Sequence, residues 1–263
     1  MLMRRVIPCL DVAGGRVVKG RSFVALRDVG DPVALAARYE AEGADEVVLL
    51  DITATIEGRN ALYDVVRRAA ERLSVPLTVG GGVRSAADVE ALLRAGADKV
   101  SVNSALHTTP GLLRDAAARF GAQCVVASLD ARRAGAGWEI VIHGGRTPTG
   151  RDAVAWAAEC ARRGAGEILL TSVDRDGRGS GYDLALVAAV ARAVAVPVVA
   201  SGGAGTPEHL VDALRAGADA ALVAGMLHDG GFTVSDLKAA IARAGIPVRE
   251  TQAVAAPATG GST

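Results

Sequence analysis

Neither sign of charge is in excess in this chain. It carries 29 basic and 29 acidic residues over 263 positions with no long basic run, so neither a nucleic-acid footprint nor attraction to an anionic membrane surface is expected. Cysteine is scarce: Cys9, Cys124 and Cys160 are odd in number, far apart and set in apolar patterns. That excludes a disulfide framework and reads as reduced, buried thiols. No uninterrupted apolar run has membrane length. The most apolar stretch, residues 184–200, contains Arg192 and Pro197, which suits a buried helix leading into a strand. Near the start, Asp11 breaks the apolar segment that follows two arginines far short of a signal peptide. A cytoplasmic protein with no cofactor and no metal site is expected.

What the chain has is apolar residues in abundance and an internal repeat. Half of its residues are apolar, enough for a large core, and a length of this order is compatible with one domain over residues 1–250. The remaining tail, residues 251–263, is rich in Ala, Gly, Ser and Thr and is expected to be disordered. Residues 76–105 and 197–226 read as two copies of one unit, with LRAGAD at the same place in each. A weaker copy relation, EGADEVVLL against RGAGEILLT, keeps the same offset. The chain is therefore a duplicated half.

Short β-rich runs end near Asp11, Asp51, Gly81, Asn103, Asp130, Ser172, Gly202 and Gly225, with helical patterns between nearly all of them. Asp31-Pro32, Thr109-Pro110, Thr206-Pro207 and the Ser85/Asp88 pair mark helix starts, and Gly43, Gly96, Gly164 and Gly217 mark helix ends. Eight strands alternating with helices predict a closed (β/α)8 TIM barrel built from two half-barrels. Two connections are long, Ala13 to Gly30 and Ala131 to Gly150, the second with a small hairpin at residues 138–143.

In such a barrel the working face lies at the C-terminal ends of the strands. Asp11 and Asp130 close the first and fifth strands, opposite each other, where two carboxyls can divide acid and base roles; alone, either could simply cap a loop. Lys19, in the first long loop, is either a cation that closes over an anionic substrate or a solvated loop lysine. Backbone amides at Gly81, Gly82, Asn103 and Ser104, and at Gly202, Gly203, Ala224 and Gly225, form two facing candidate phosphate sites, which predicts a substrate with two phosphates. Asp176-Gly177 lies beside the second set and could bind substrate hydroxyls or order its loop. Strand parity puts Arg5 inside the opposite end of the barrel, with Glu46, Lys99 and Glu167 able to complete a charged ring. From these residues alone a salt-bridged plug is the simpler reading.

The segments IPCLDVAGGRVVKG, LLDITAT, TVGGGVRS, GADKVSVNS, LLTSVDRDGRGSGYD and ASGGAG together resemble the cyclase subunit of imidazole glycerol phosphate synthase, a family of histidine biosynthesis. The resemblance extends from the N-terminus to about Glu250. It implies that ammonia from a glutaminase partner crosses the barrel and attacks a phosphoribulosyl-formimino-aminoimidazole carboxamide ribonucleotide. Imidazole glycerol phosphate and aminoimidazole carboxamide ribonucleotide are released. It further implies that Asp11 and Asp130 are the acid-base pair, that Lys19 belongs to a mobile loop, and that Arg5, Glu46, Lys99 and Glu167 gate ammonia where the partner docks, at the N-terminal face. Gly225 stands where another small residue is expected. Alternatives are the sister phosphoribosyl isomerase, which has the same fold and phosphate pattern but no ammonia to admit, and a non-catalytic phosphate-binding scaffold.

Overall fold

The computed structural model describes residues 3–21, 24–53, 56–109 and 111–250; Pro110 and the tail from 251 to 263 lie outside them. Among the described residues, twelve strands form one sheet: β1 (Arg5–Ala13), β2 (Arg16–Arg21), β3 (Val24–Gly30), β4 (Val47–Asp51), β5 (Leu77–Gly80), β6 (Lys99–Val102), β7 (Val125–Ala134), β8 (Gly137–Ile142), β9 (Thr147–Asp152), β10 (Glu167–Ser172), β11 (Val198–Ser201) and β12 (Ala220–Val223). Eight of them, β1, β4, β5, β6, β7, β10, β11 and β12, pair in parallel in that order, and β12 pairs back to β1. The barrel is closed, with helices between its strands.

Alternation along each strand divides the apolar residues into two cores. Val6, Leu10 and Val12 of β1 face the helices and join the larger cluster. Ile7 and Cys9 face inward and pack with Val48, Val126, Leu169, Val199, Ala220 and Leu222. This inward apolar set shares the stem with Ser101 and Ser128, buried polar residues at the same strand parity.

The duplicated motif has a visible mechanical role. Asp98 of the first LRAGAD accepts the Leu77 amide at 2.8 Å, and Asp219 of the second accepts the Val198 amide at 3.0 Å. Each aspartate satisfies the first amide of the preceding barrel strand, a donor that the ladder leaves over. Asp45, in the weaker copy EGAD, accepts the amide of Val6, the second residue of β1, at 2.9 Å. Its repeat counterpart is Gly166, where any side chain would run into the Ala122 backbone.

Helix signals hold in most places. Asp31 accepts from the Ala34 amide at 2.9 Å, and Ser85 and Asp88 form a reciprocal capping box. Thr109 is a correction: it ends the short helix Ala105–Thr108, while the next helix, Leu112–Phe120, has Gly111 as its N-cap and no side-chain cap. The two long connections also differ from plain loops. After Asp11, β1 runs on into an antiparallel β2–β3 extension; after Asp130, β7 runs on into β8 and β9. Residues 138–143 therefore supply most of a middle strand paired on both sides. No described helix is long and apolar enough to cross a membrane.

Candidate active site at the C-terminal mouth

Asp11 pairs in register with Leu50 of β4, and Asp130 with Thr171 of β10. Both sit where a parallel barrel strand leaves its neighbours and turns into an antiparallel extension. β1 and β7 are four strands apart in a ring of eight, so the two carboxylates face one another across the mouth. Burial pushes the Asp11 carboxyl up to about 6; the Asp176 charge adds to this, and a weak Cys9 thiol contact at 3.9 Å opposes it. Burial also takes Asp130 to about 6, against the pull of the Asn103 amide, which donates to its Oδ2 at 3.0 Å, and with the push of Asp176. Two carboxyls so tuned can hold or release a proton near neutral pH.

Asp176 therefore counts for more than a neighbour of the second phosphate set. It is exposed at the rim, and its charge acts on both Asp11 and Asp130. Its loop is turned by the Asp176 amide donating to the Ser172 carbonyl at 3.0 Å. Gly177 follows it, exposed and with φ +69.

The two glycine turns are structural equivalents. At Gly81, φ is +103 and an added Cβ would overlap the carbonyl oxygen of Asp51; at Gly202, φ is +85 and the Cβ would meet the Ser172 carbonyl oxygen at 2.7 Å. Each turn is pressed onto the end of the preceding barrel strand, a conformation and a closeness that only glycine permits. Gly82 and Gly203 continue the turns, both with positive φ. Beside the first turn, Asn103 and Ser104 follow β6, and their side chains brace this corner. The Asn103 side chain holds Asp130, and the Ser104 hydroxyl accepts the His143 amide at 3.2 Å, tying the β8–β9 turn to this corner. Beside the second, Ala224 and Gly225 follow β12, and Lys19 reaches across from β2 to the Gly225 carbonyl at 3.3 Å and to Asp229.

Several residues of this face carried no separate sequence signal. Asp51 is buried at the end of β4 and accepts from the amide and hydroxyl of Thr53 at 2.8 and 2.6 Å. His228 lies under the second site. Its Nε2 is 3.1 Å from the Cys9 carbonyl, which can only accept, so Nδ1 takes the Tyr39 hydroxyl at 2.7 Å. Burial, chiefly, brings this imidazole down to about 4. It is a neutral strut between β1 and the Gly225–His228 turn. A lone histidine in an apolar segment gives no hint of such partners, because they are 189 and 219 residues away in sequence.

At the other end of the barrel the expected ring is present. Arg5 pairs with Glu46 at 3.0 Å and with Glu167, while Lys99 pairs with the same two carboxylates at 2.7 and 2.8 Å. Thr78 donates to Glu46 at 2.5 Å. Burial disfavours charge on Glu167, yet Arg5 and Lys99 outweigh it and hold that carboxyl below its ordinary value. Among the described residues, no cluster of His, Cys, Asp or Glu is arranged to hold a metal ion.

Comparison with known sequences decides the family. The profile of the histidine biosynthesis protein family matches residues 5–233. A Myxococcus xanthus protein named imidazole glycerol phosphate synthase subunit HisF is 62% identical over 250 residues, covering 95% of this chain and 99% of that protein. A protein of the same name from Gluconacetobacter diazotrophicus is 58% identical over 258 residues, covering 98% of this chain and all of that protein. The chain belongs to this family. It is the cyclase subunit of imidazole glycerol phosphate synthase, a lyase of histidine biosynthesis.

Proposed function

We propose that this chain closes the imidazole ring at its C-terminal mouth with Asp11 and Asp130 as the acid-base pair, using ammonia that enters through the charged ring at the other end. The observation that carries the reading is the pair of facing carboxyls, each raised to about 6. One accepts a proton as ammonia adds to the ribulosyl carbonyl; the other donates to the departing group as the ribonucleotide is cleaved off. Burial keeps both carboxyls elevated, Asp176 adds to it, and Asn103 fixes the orientation of Asp130.

The phosphates of the substrate are assigned to two facing corners. The first is built from Gly81, Gly82, Asn103 and Ser104; the second from Gly202, Gly203, Ala224 and Gly225, with Lys19 as the cation and Asp176-Gly177 alongside. Support comes from the equivalence of the two glycine turns, since one duplicated solution to binding one group serves two like groups spaced across a mouth.

Between the ring and the mouth the stem is lined by Ile7, Val48, Val126, Leu169, Val199 and Leu222, with the buried hydroxyl residues Ser101 and Ser128 among them by strand parity. A mainly apolar lining with isolated hydroxyls suits neutral ammonia, which a hydroxyl can hydrogen-bond, and resists ammonium, whose charge would find no carboxylate there. The ring of Arg5, Glu46, Lys99 and Glu167 is fully paired, so admission of ammonia requires its contacts to part. A glutaminase partner is therefore assigned to the N-terminal face, away from the chemistry.

The experiment mixes the purified chain with the formimino ribonucleotide and excess ammonium salt at mildly alkaline pH and follows release of aminoimidazole carboxamide ribonucleotide. Turnover without a partner is expected. Arg5→Ala or Lys99→Ala should then lower glutamine-dependent turnover with the partner more than ammonium-dependent turnover. Equal losses in the two assays would remove the gate.

A further inference from the structure

Lys19 and Arg27 are directly opposite each other in the β2–β3 pairing. Two cations so placed repel, and the pairing is weakened there unless an anion sits between them. The structure supplies one from outside the hairpin. Asp229 takes Lys19 on its Oδ2, while its Oδ1 lies 3.6 Å from the Arg27 guanidinium. Lys19 also donates to the Gly225 carbonyl at 3.3 Å, so the same ammonium touches the candidate phosphate corner and its counter-ion. Asp229 itself has a firm base: the preceding His228 is fixed by the Cys9 carbonyl and the Tyr39 hydroxyl.

We propose that Asp229 is a positioning residue for the cyclase reaction: it pins Lys19 and Arg27 beside Gly225 in the free enzyme and surrenders Lys19 to the substrate's phosphate. This rests on the assignment of Lys19 to the second phosphate corner. A carboxylate carries one charge and two acceptor oxygens, whereas a phosphate monoester carries about −1.5 to −2 and three, so the phosphate wins the exchange. The carboxylate and the phosphate thus compete for one cation. Asp229 keeps the two strands from separating while the site is empty, at the expense of some ligand affinity.

The test uses the full chain, its Asp229→Asn and Lys19→Ala variants and the double variant. Affinity for imidazole glycerol phosphate is measured by calorimetry, and cleavage within the β2–β3 hairpin by limited proteolysis. Asp229→Asn should bind roughly two- to fivefold more tightly, the scale of an exposed ion pair. Without ligand its hairpin should be cut faster than the parent's, and saturating ligand should restore protection. In the Lys19→Ala background the affinity gain should vanish. A merely structural aspartate would leave binding unchanged or weaken it, and either result for Asp229→Asn overturns the exchange. If Lys19→Ala binds the ligand as tightly as the parent, the phosphate role of Lys19 fails and the exchange falls with it.

Discussion

Replacing Asp11 or Asp130 by Asn should make the protein more stable and nearly inactive at the same time. Each carboxyl ionises near 6 instead of 3.8. A rise of about 2 pH units corresponds to about 3 kcal/mol against the folded state once the group is charged. Both side chains keep some contact with solvent at the mouth, and screening reduces this to about 1–2 kcal/mol each. The sign follows from linkage. A folded value above the unfolded one means that the stability tied to the group is fully present below about pH 4 and is lost as pH rises through about 6. Asparagine never ionises, so its advantage should be absent at acid pH and complete at about pH 8. For a chain of this size that is a Tm higher by about 2–5 °C. Turnover with ammonium should fall by roughly 10²–10⁴. Calorimetric scans across this pH range, with steady-state rates alongside, test both halves. An unchanged Tm at alkaline pH would refute the burial argument, and turnover within about threefold of the parent would refute the acid-base assignment.

Two further outcomes follow from other contacts. Asn103→Leu removes the donor to Asp130 and should push the pKa of that carboxyl up further, moving the limb of the pH-rate profile that Asp130 controls upward by about one unit; two unmoved limbs would show that Asn103 does not tune Asp130. Lys238 is buried and holds Asp45 at 2.7 Å, with Arg249 as the other cation at 3.1 Å. Lys238→Ala leaves a mostly buried carboxylate with one exposed partner and should cost about 2–3 kcal/mol in urea unfolding, below the full cost of stripping a buried ion because Arg249 remains. A loss under about 0.5 kcal/mol would mean that water replaces the ammonium.

Local and repeated features were legible in the sequence. The eightfold alternation, the parity that sends Arg5, Cys9 and Asp11 inward, and the glycines at Gly81 and Gly202 follow from periods of 2 and 3.6 residues and from the restricted φ of other residues. Because the two halves share one register, the facing placement of Asp11 and Asp130 and the contributors to the charged ring could be read before any coordinates. What the chain could not reveal is which distant groups meet. Strand propensity does not tell that the segments after Asp11 and Asp130 pair as antiparallel extensions, since pairing depends on a partner and not on the strand alone. Nor does the sequence show that Asn103 turns to Asp130 instead of outward, that Asp176 acts on both carboxyls, or that His228 braces Cys9. Lys19 meets Asp229 across 210 positions. Such contacts exist only once the barrel closes and brings β1, β7 and β12 to one mouth, and burial in that closed form raises the two aspartates to where they can exchange protons.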